Sequence, residues 1–468
     1  MRRESKPRKG TSLDGRYRLF SGNGDCVEME LDVWLDGVRV AILTEKRRQM
    51  SMACTDEALP IGAPLVSMAM PVSARRYPDQ KARAFFRGLL PEGEARRMLA
   101  YNFGLDEFDD MGLLAALGKD CAGALVVQPK GNVPPPGVAA SIHDALDDAE
   151  IARRLQALPV HPLGVDANIR VSLAGVQSKL LLARLDDGRW ALPADAVVST
   201  HLLKPAHRDL PNSVVNEAFC INLAASAGLK AARTTILSFA GTQVLVSERY
   251  DRQRRAGGIV RIHQEDACQA LSVLTIIPEQ KYEEFGGPTL AGIADLLDQW
   301  GDAISKEDLL RQVALHVIVG NADAHGKNVS FLHGEDGTVS LAPVYDVMST
   351  LYYSAAFGRP MSTTLGLFVN GKRDINEVTV EDLLVEAKRW GMKYRTAQSV
   401  LHQLLERFPD ALNQALEDVP DVPEALAELV RKRMLGARSE AVRLGQLAPR
   451  LKPGSDDSAR LRKHRMGF

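Results

Sequence analysis

Cysteine is scarce and scattered, with Cys26, Cys54, Cys121, Cys220 and Cys268 as the only five in 468 residues. No Cys-x-x-Cys pair exists, which argues against a thiolate zinc site or a disulfide framework and suits a reducing, cytoplasmic setting. Long apolar runs are missing too. No segment approaches the ~18–20 apolar residues that a bilayer span needs, and the run at 313–319 is broken by His316. The basic start MRRESKPRKG has no apolar stretch behind it, so a secretory leader is not expected. Net charge is nearly absent: 58 Lys and Arg against 59 Asp and Glu leave −1, which argues against a chain-wide nucleic-acid footprint. There is no Walker A motif, no Gly-x-Gly-x-x-Gly in the strand-rich part, and no repeat at a solenoid period.

What is present is a chain that is 45% hydrophobic, long enough for two or three domains at ~100–200 residues each. Residues 1–26 read as a flexible basic arm and 451–468 as a basic tail. Residues 27–128 read as a small α/β unit. Leu31, Val33 and Leu35, then Val38, Val40 and Ile42, alternate around Asp36-Gly37, a hairpin signal. Helices follow over 80–101, interrupted at 88–93, and over 106–117. A linker spans 129–145, opening with PKGNVPPPG, whose proline run favours an extended chain.

A core over 146–450 divides into a strand-rich lobe at about 170–250 and a helical lobe at about 251–450. The pattern predicts a helix over 148–158, strands over 180–185, 190–192 and 201–204, and a helix over 213–228 closed by Gly228. Strands over 234–239 and 243–248 flank Ala240-Gly241, and helices dominate from about 266 apart from 328–345. The class is α+β, and a cleft between the two lobes is the expected ligand site.

Within the helical lobe, Gly320-Asn321-Ala322-Asp323-Ala324-His325-Gly326-Lys327-Asn328 places a carboxylate and an amide five apart on a polar loop between an apolar helix and a strand. That is the Asp-x-x-x-x-Asn spacing of a kinase catalytic loop: Asp323 can accept a hydroxyl proton, and the Asn328 oxygen can ligate Mg²⁺ on nucleotide phosphates. Asp346 ends the apolar stretch Leu341-Ala342-Pro343-Val344-Tyr345 and stands where kinases put their second metal-binding Asp, although no Asp-Phe-Gly tripeptide is present. Lys204 ends a strand and Glu217 lies on the next helix, as a phosphate-binding Lys and its acidic partner do. Glu248-Arg249-Tyr250 follows an apolar strand where an adenine-binding hinge belongs. Taken singly, each residue fits a cap, a turn or a solvated face; the ordered set is what points to phosphoryl transfer. His325 beside Asp323 lacks a second nearby histidine, which argues against a metal hydrolase. The loop from Val171 to Lys179 lies where a phosphate-covering loop would, but with one glycine it reads on its own as a plain loop.

The chain resembles the HipA-type serine/threonine kinase toxins of bacterial type II toxin–antitoxin pairs, over about residues 27–445. Phe85-Phe86-Arg87-Gly88-Leu89-Leu90-Pro91-Glu92-Gly93 and Gly118-Lys119-Asp120-Cys121-Ala122-Gly123-Ala124 look like that family's N-terminal signatures. Ser172-Leu173-Ala174-Gly175-Val176-Gln177-Ser178-Lys179 is similar to its phosphorylated loop, and Gln264-Glu265-Asp266, Asn321 to Asn328 and Tyr345-Asp346 complete the match.

The resemblance implies a small α/β N-terminal domain before a divergent, two-lobed protein-kinase-like core whose C-terminal lobe is largely helical. It implies ATP and Mg²⁺ as cofactors, Asp323 as catalytic base, and Asn328 and Asp346 as metal ligands. Lys204, Glu248, Arg249, Tyr250, His325 and Lys327 would bind ATP, with Glu217, Gln264 and Asp266 in support. Ser172 would be autophosphorylated, which in the family expels the loop from the nucleotide site and switches the kinase off. The implied substrate is an aminoacyl-tRNA synthetase, commonly the glutamyl enzyme, whose phosphorylation halts translation and produces growth arrest and persistence. The implied partner is a HipB-like helix-turn-helix antitoxin, through which operator DNA is reached indirectly; no membrane is involved. Two other readings stay open: a catalytically idle corepressor that binds an antitoxin–operator complex, and a kinase for a small molecule or lipid.

Overall fold

The computed structural model describes residues 29–59, 66–74, 76–134, 145–165, 171–174, 177–193, 197–256, 258–302 and 304–445. The expected arm and tail, residues 135–144 of the linker, and Gly175 and Val176 of the loop after Ser172 lie outside these.

The first unit runs β1 (Met29–Leu35), β2 (Val38–Lys46), β3 (Gln49–Cys54), α1 (Asp79–Gly88), α2 (Gly93–Phe103), α3 (Asp110–Leu117) and β4 (Val126–Pro129). Its four strands form one antiparallel sheet in the order β3-β2-β1-β4. Alternation puts Leu31, Val33, Leu43, Met50 and Met52 on one face, packed against Phe85, Phe86, Leu114 and Leu117 of the helices. Pro129 belongs to the edge strand β4, opposite Leu31, so the ordered unit runs into the start of the proline-rich stretch. An edge position tolerates its missing N–H.

The second group comprises β5 (Ala145–Leu146), α4 (Asp148–Ala157), β6 (Leu180–Arg184), β7 (Trp190–Ala191), β8 (His201–Pro205), α5 (Ser213–Ser226), β9 (Thr234–Phe239) and β10 (Thr242–Glu248). Its six strands are ordered β5-β7-β6-β8-β10-β9. Helix α5 is apolar nearly all round, and such a helix belongs in an interior. Phe219 and Leu223 share one core with Leu309 and Leu315 of a later helix and Leu404 and Phe408 of another, so α5 joins the lobes.

The remainder runs β11 (Arg252–Arg255), β12 (Gly258–Arg261), β13 (Gln264–Asp266), α6 (Ala267–Ala270), α7 (Leu290–Trp300), α8 (Ser305–Val319), β14 (Ser330–His333), β15 (Val339–Leu341) and α9 (Leu351–Phe357). It ends with β16 (Thr364–Val369), β17 (Lys372–Asp374), α10 (Val380–Arg389), α11 (Tyr394–Asp418) and α12 (Glu424–Arg443). The fold is thus mixed α+β with a helical C-terminal region. The hairpins β11-β12 and β16-β17 and the strand β3 are additions to the sequence expectation.

Candidate active site

Three charged residues from separate elements meet at the floor of the interlobe cleft. Lys204, at the end of β8, donates to Glu217 of α5 at 2.6 Å and to Asp346 at 2.7 Å. Burial alone would lower the Lys204 ammonium, but Asp346 and Glu217 override it and hold the group above the ordinary lysine value. Burial likewise works against ionised Asp346, and Lys204, with Lys179 behind it, wins; the carboxylate is held well below its usual range. For Glu217, burial dominates and raises it despite Lys204. Asp346 sits in the left-handed region, φ 56°, immediately after the strand-like approach to it. It has open space on the cleft side, with 43% of its side chain exposed.

The catalytic-type loop is built by its surroundings. Gly320 closes α8 at φ 72°, and the Asn321 side chain accepts from the Asp323 amide at 3.0 Å. The Ala322 amide donates to Thr350 Oγ1 at 3.0 Å. From the other side, the Gly366 amide of β16 donates to the Ala322 carbonyl at 2.8 Å. A Cβ at Gly366 would lie 2.5 Å from the Ala324 carbonyl oxygen, so only glycine permits this approach. Asn328 Nδ2 donates to the Asp323 carbonyl at 3.4 Å, closing the loop across its five-residue span. The Asp323 carboxylate accepts from the Tyr282 hydroxyl at 2.6 Å. Burial raises its pKa, with Tyr282 and Lys281 opposing.

A cleft of about 980 Å³ gathers Lys204, Glu217, Glu248, Tyr250, Asp323, His325, Asn328 and Asp346 along its walls. Ligand pockets typically hold ~300–1,000 Å³. Arg249 and Lys327, two expected nucleotide contacts, also line this cleft, with their side chains engaged in ion pairs. Arg249 turns its guanidinium into a buried cluster, onto Asp251 at 2.8 Å, Ser199 Oγ at 2.7 Å and the Cys121 carbonyl at 2.9 Å. The Lys327 ammonium is held by Asp266 at 2.8 Å and Glu92 at 3.3 Å. Both cations therefore already spend their charge on buried carboxylates. Gln264 accepts from the Tyr250 hydroxyl at 2.6 Å, and Asp266 caps α6. Ser172 is fully buried away from the cleft wall: its hydroxyl donates to the Leu89 carbonyl at 2.7 Å and its amide to the Asp120 carbonyl at 2.9 Å.

The N-terminal signatures prove to be docking elements. Asp120 accepts from Arg252 at 2.8 Å and Ser199 at 2.6 Å, and the Gly123 amide donates to Asp251 at 2.7 Å. The Phe85 carbonyl accepts from Gln269 at 2.9 Å. Sequence reasoning missed Tyr282, which no motif marks. It also assigned no role to Lys179, whose ammonium donates to the Ala174 carbonyl at 2.8 Å. Burial, then Lys204, lower Lys179 to about 8.

The residues fit Mg·ATP by donor chemistry. Asp346 is kept ionised and Asn328 adds an amide oxygen, both hard donors. Among the described residues, no group of three or more His, Cys, Asp or Glu could hold a metal by itself.

The HipA N-terminal domain model matches residues 31–128 and the HipA-like C-terminal domain model residues 171–412. A putative kinase of Sinorhizobium fredii is 38% identical over 84% of this chain and 93% of its own. The serine/threonine-protein kinase toxin HipA of Shewanella oneidensis is 28% identical over 76% of this chain and 82% of its own. The solved structure of Shewanella oneidensis HipA with HipB and operator DNA superposes with a TM-score of 0.73 at 24% identity, covering 89% of this chain and 97% of that one. The two matched domain models, the Sinorhizobium relative and the shared fold lead to one conclusion: this chain belongs to the HipA family.

Proposed function

We propose that this protein is an ATP-dependent serine/threonine protein kinase acting as the toxin of a toxin–antitoxin pair. The observation that carries the reading is the convergence of Lys204, Glu217, Asp346, Asn328 and Asp323 on one cleft, from four separate segments of the chain. Lys204 offers a fixed positive charge to the phosphates, and Glu217 holds it in place. Asp346 and Asn328 would hold Mg²⁺, which when bound neutralises phosphate charge. Asp323 orients the acceptor hydroxyl and receives its proton. Glu248 ends β10 and Tyr250 follows it at the cleft edge, where they offer backbone groups to the adenine.

The proposed target is a protein hydroxyl on an aminoacyl-tRNA synthetase, the glutamyl enzyme first. The proposed partner is a HipB-like antitoxin with its operator DNA, as in the assembly of the Shewanella relative. Self-modification at Ser172 is proposed as the off switch. Its hydroxyl is wholly enclosed, so the segment must leave its slot to be phosphorylated. A group carrying about −1.5 to −2 charges could not return against the Leu89 carbonyl oxygen in that closed slot.

The test is intact mass after incubating phosphatase-treated protein with Mg·ATP. Wild type is expected to gain one phosphate, and Asp323→Asn and Ser172→Ala to gain none. No gain in wild type would overturn the kinase reading and leave the corepressor reading, for which antitoxin binding is the next measurement.

A further inference from the structure

We propose that Tyr282 is a positioning residue for Asp323: its hydroxyl occupies one carboxylate oxygen and leaves the other to the incoming acceptor. The inference rests on the kinase reading above and adds to it the group that aims the base. Tyr282 Oη lies 2.6 Å from Asp323 Oδ1. Its ring stands edge-on to His325, centroids 5.1 Å apart at 90°, and the Lys281 ammonium lies 5.5 Å from the Tyr282 ring centroid. Both ends of the contact are braced by one strap. The Tyr282 carbonyl accepts from the Gly287 and Phe285 amides at 2.9 and 3.0 Å, fixing the segment. The next residue, Glu283, accepts from the Phe368 amide of β16 at 2.7 Å. The same strand grips the catalytic-type loop through Gly366 and Ala322 at 2.8 Å. Strand β16 thus ties together the two segments that carry the phenol and the carboxylate.

The phenol acts only as a donor. Burial, then Asp323, raise its pKa well above the ordinary tyrosine value, so it keeps its proton throughout. In the transfer step the acceptor oxygen bonds to the γ-phosphorus and the bond to the bridging oxygen breaks, releasing ADP. The acceptor proton passes to Asp323, on the oxygen that Tyr282 does not hold. Without the phenol the carboxylate can rotate, and the near-attack geometry is populated less often.

The experiment uses the full chain as wild type and Tyr282→Phe, with Asp323→Asn as the inactive control, in the presence of Mg·ATP. The maximal rate of phosphate incorporation, the half-saturating ATP concentration and the melting temperature are measured for each. Tyr282→Phe keeps the ring and is expected to slow transfer about tenfold or more, the scale of one lost charge-assisted hydrogen bond. ATP half-saturation and melting temperature should stay as in wild type. An unchanged rate in Tyr282→Phe would sink the proposal. So would a loss that moves ATP half-saturation and melting together. Absence of transfer in wild type would be a failure of the kinase reading itself.

Discussion

Lys204 shows how one residue can be both a structural and a functional requirement. Its ammonium is the partner of Glu217, only 3% exposed, and of Asp346, which opens on the cleft. Removing a single partner from a buried ion pair costs ~3–5 kcal/mol, because the remaining charge is stranded, whereas replacing the pair with apolar groups can be neutral. Lys204→Met should therefore lower stability by about 3 kcal/mol in urea unfolding. Lys204→Met with Glu217→Leu should recover most of that loss while nucleotide binding stays abolished. If the double variant is as unstable as the single one, the stranded Glu217 is not what sets the cost. Residue identities of this kind were legible from order along the chain: Lys204, Glu217, Asp323, Asn328 and Asp346 do meet. The side-chain directions of Arg249 and Lys327 were not. A long cation follows whichever carboxylate the tertiary fold brings near, and Asp120 for Arg249 and Glu92 for Lys327 arrive from other segments.

At the scale of elements, turns and alternation announced most of the sheet, and the omissions have identifiable causes. Strand β3 reads QMSMAC, with Met50 and Met52 buried; methionine is a weak strand signal and its period of two is easily passed over. Strand β11 is RQRR, a polar surface ribbon with almost no apolar face. The β16-β17 hairpin does carry a strong mark, Asn370-Gly371 at φ 51° and 74°, but it lies inside a stretch otherwise dominated by helix. Missing it also hid the strap beneath the Asp323 loop. The helices of the first unit hold a different device. Asp110, at the start of α3 and 1% exposed, accepts from Arg83 and Arg87 of α1 at 2.7 and 2.8 Å and from Arg96 of α2 at 2.5 Å. One carboxylate thus pins three helices whose apolar faces already cover the sheet. Asp110→Asn should destabilise by about 3 kcal/mol, since three guanidinium groups lose their shared counter-charge. Urea unfolding would measure it, and a change under about 1 kcal/mol would mean that apolar packing of Phe85, Phe86 and Leu114 alone fixes these helices.

Across the whole molecule, the first unit is wedged against both lobes rather than appended to them. Asp120 reaches the segment after β10 through Arg252, and Glu265 of β13 accepts from Ser67 at 2.6 Å and the Met68 amide at 2.8 Å. At the second seam His263 bonds the Val66 carbonyl through Nε2 at 2.9 Å, with its ring 4.7 Å from that of His333. Burial, then His333, push His263 down to about 3, against the Val66 bond and Asp251. The sign follows directly. A histidine held neutral in the fold binds its proton more readily when unfolded, so its contribution is complete above the unfolded value of ~6.5. It is lost as pH falls from there towards about 3. His201 and His316 are both lowered to about 4, burial first, and act in the same direction, so these three histidines all draw stability away on mild acidification. His263→Gln keeps a donor for the Val66 carbonyl but carries no titrating proton. Between pH 7 and 4.5 its stability should fall less steeply than wild type, by up to one proton, about 1.4 kcal/mol per pH unit. Hydrogen exchange at residues 66–70 should lose protection with acid in wild type and keep it in the variant. Parallel pH slopes for the two proteins would mean that this seam does not govern acid opening, and that the burden lies on His201 and His316 inside the lobes.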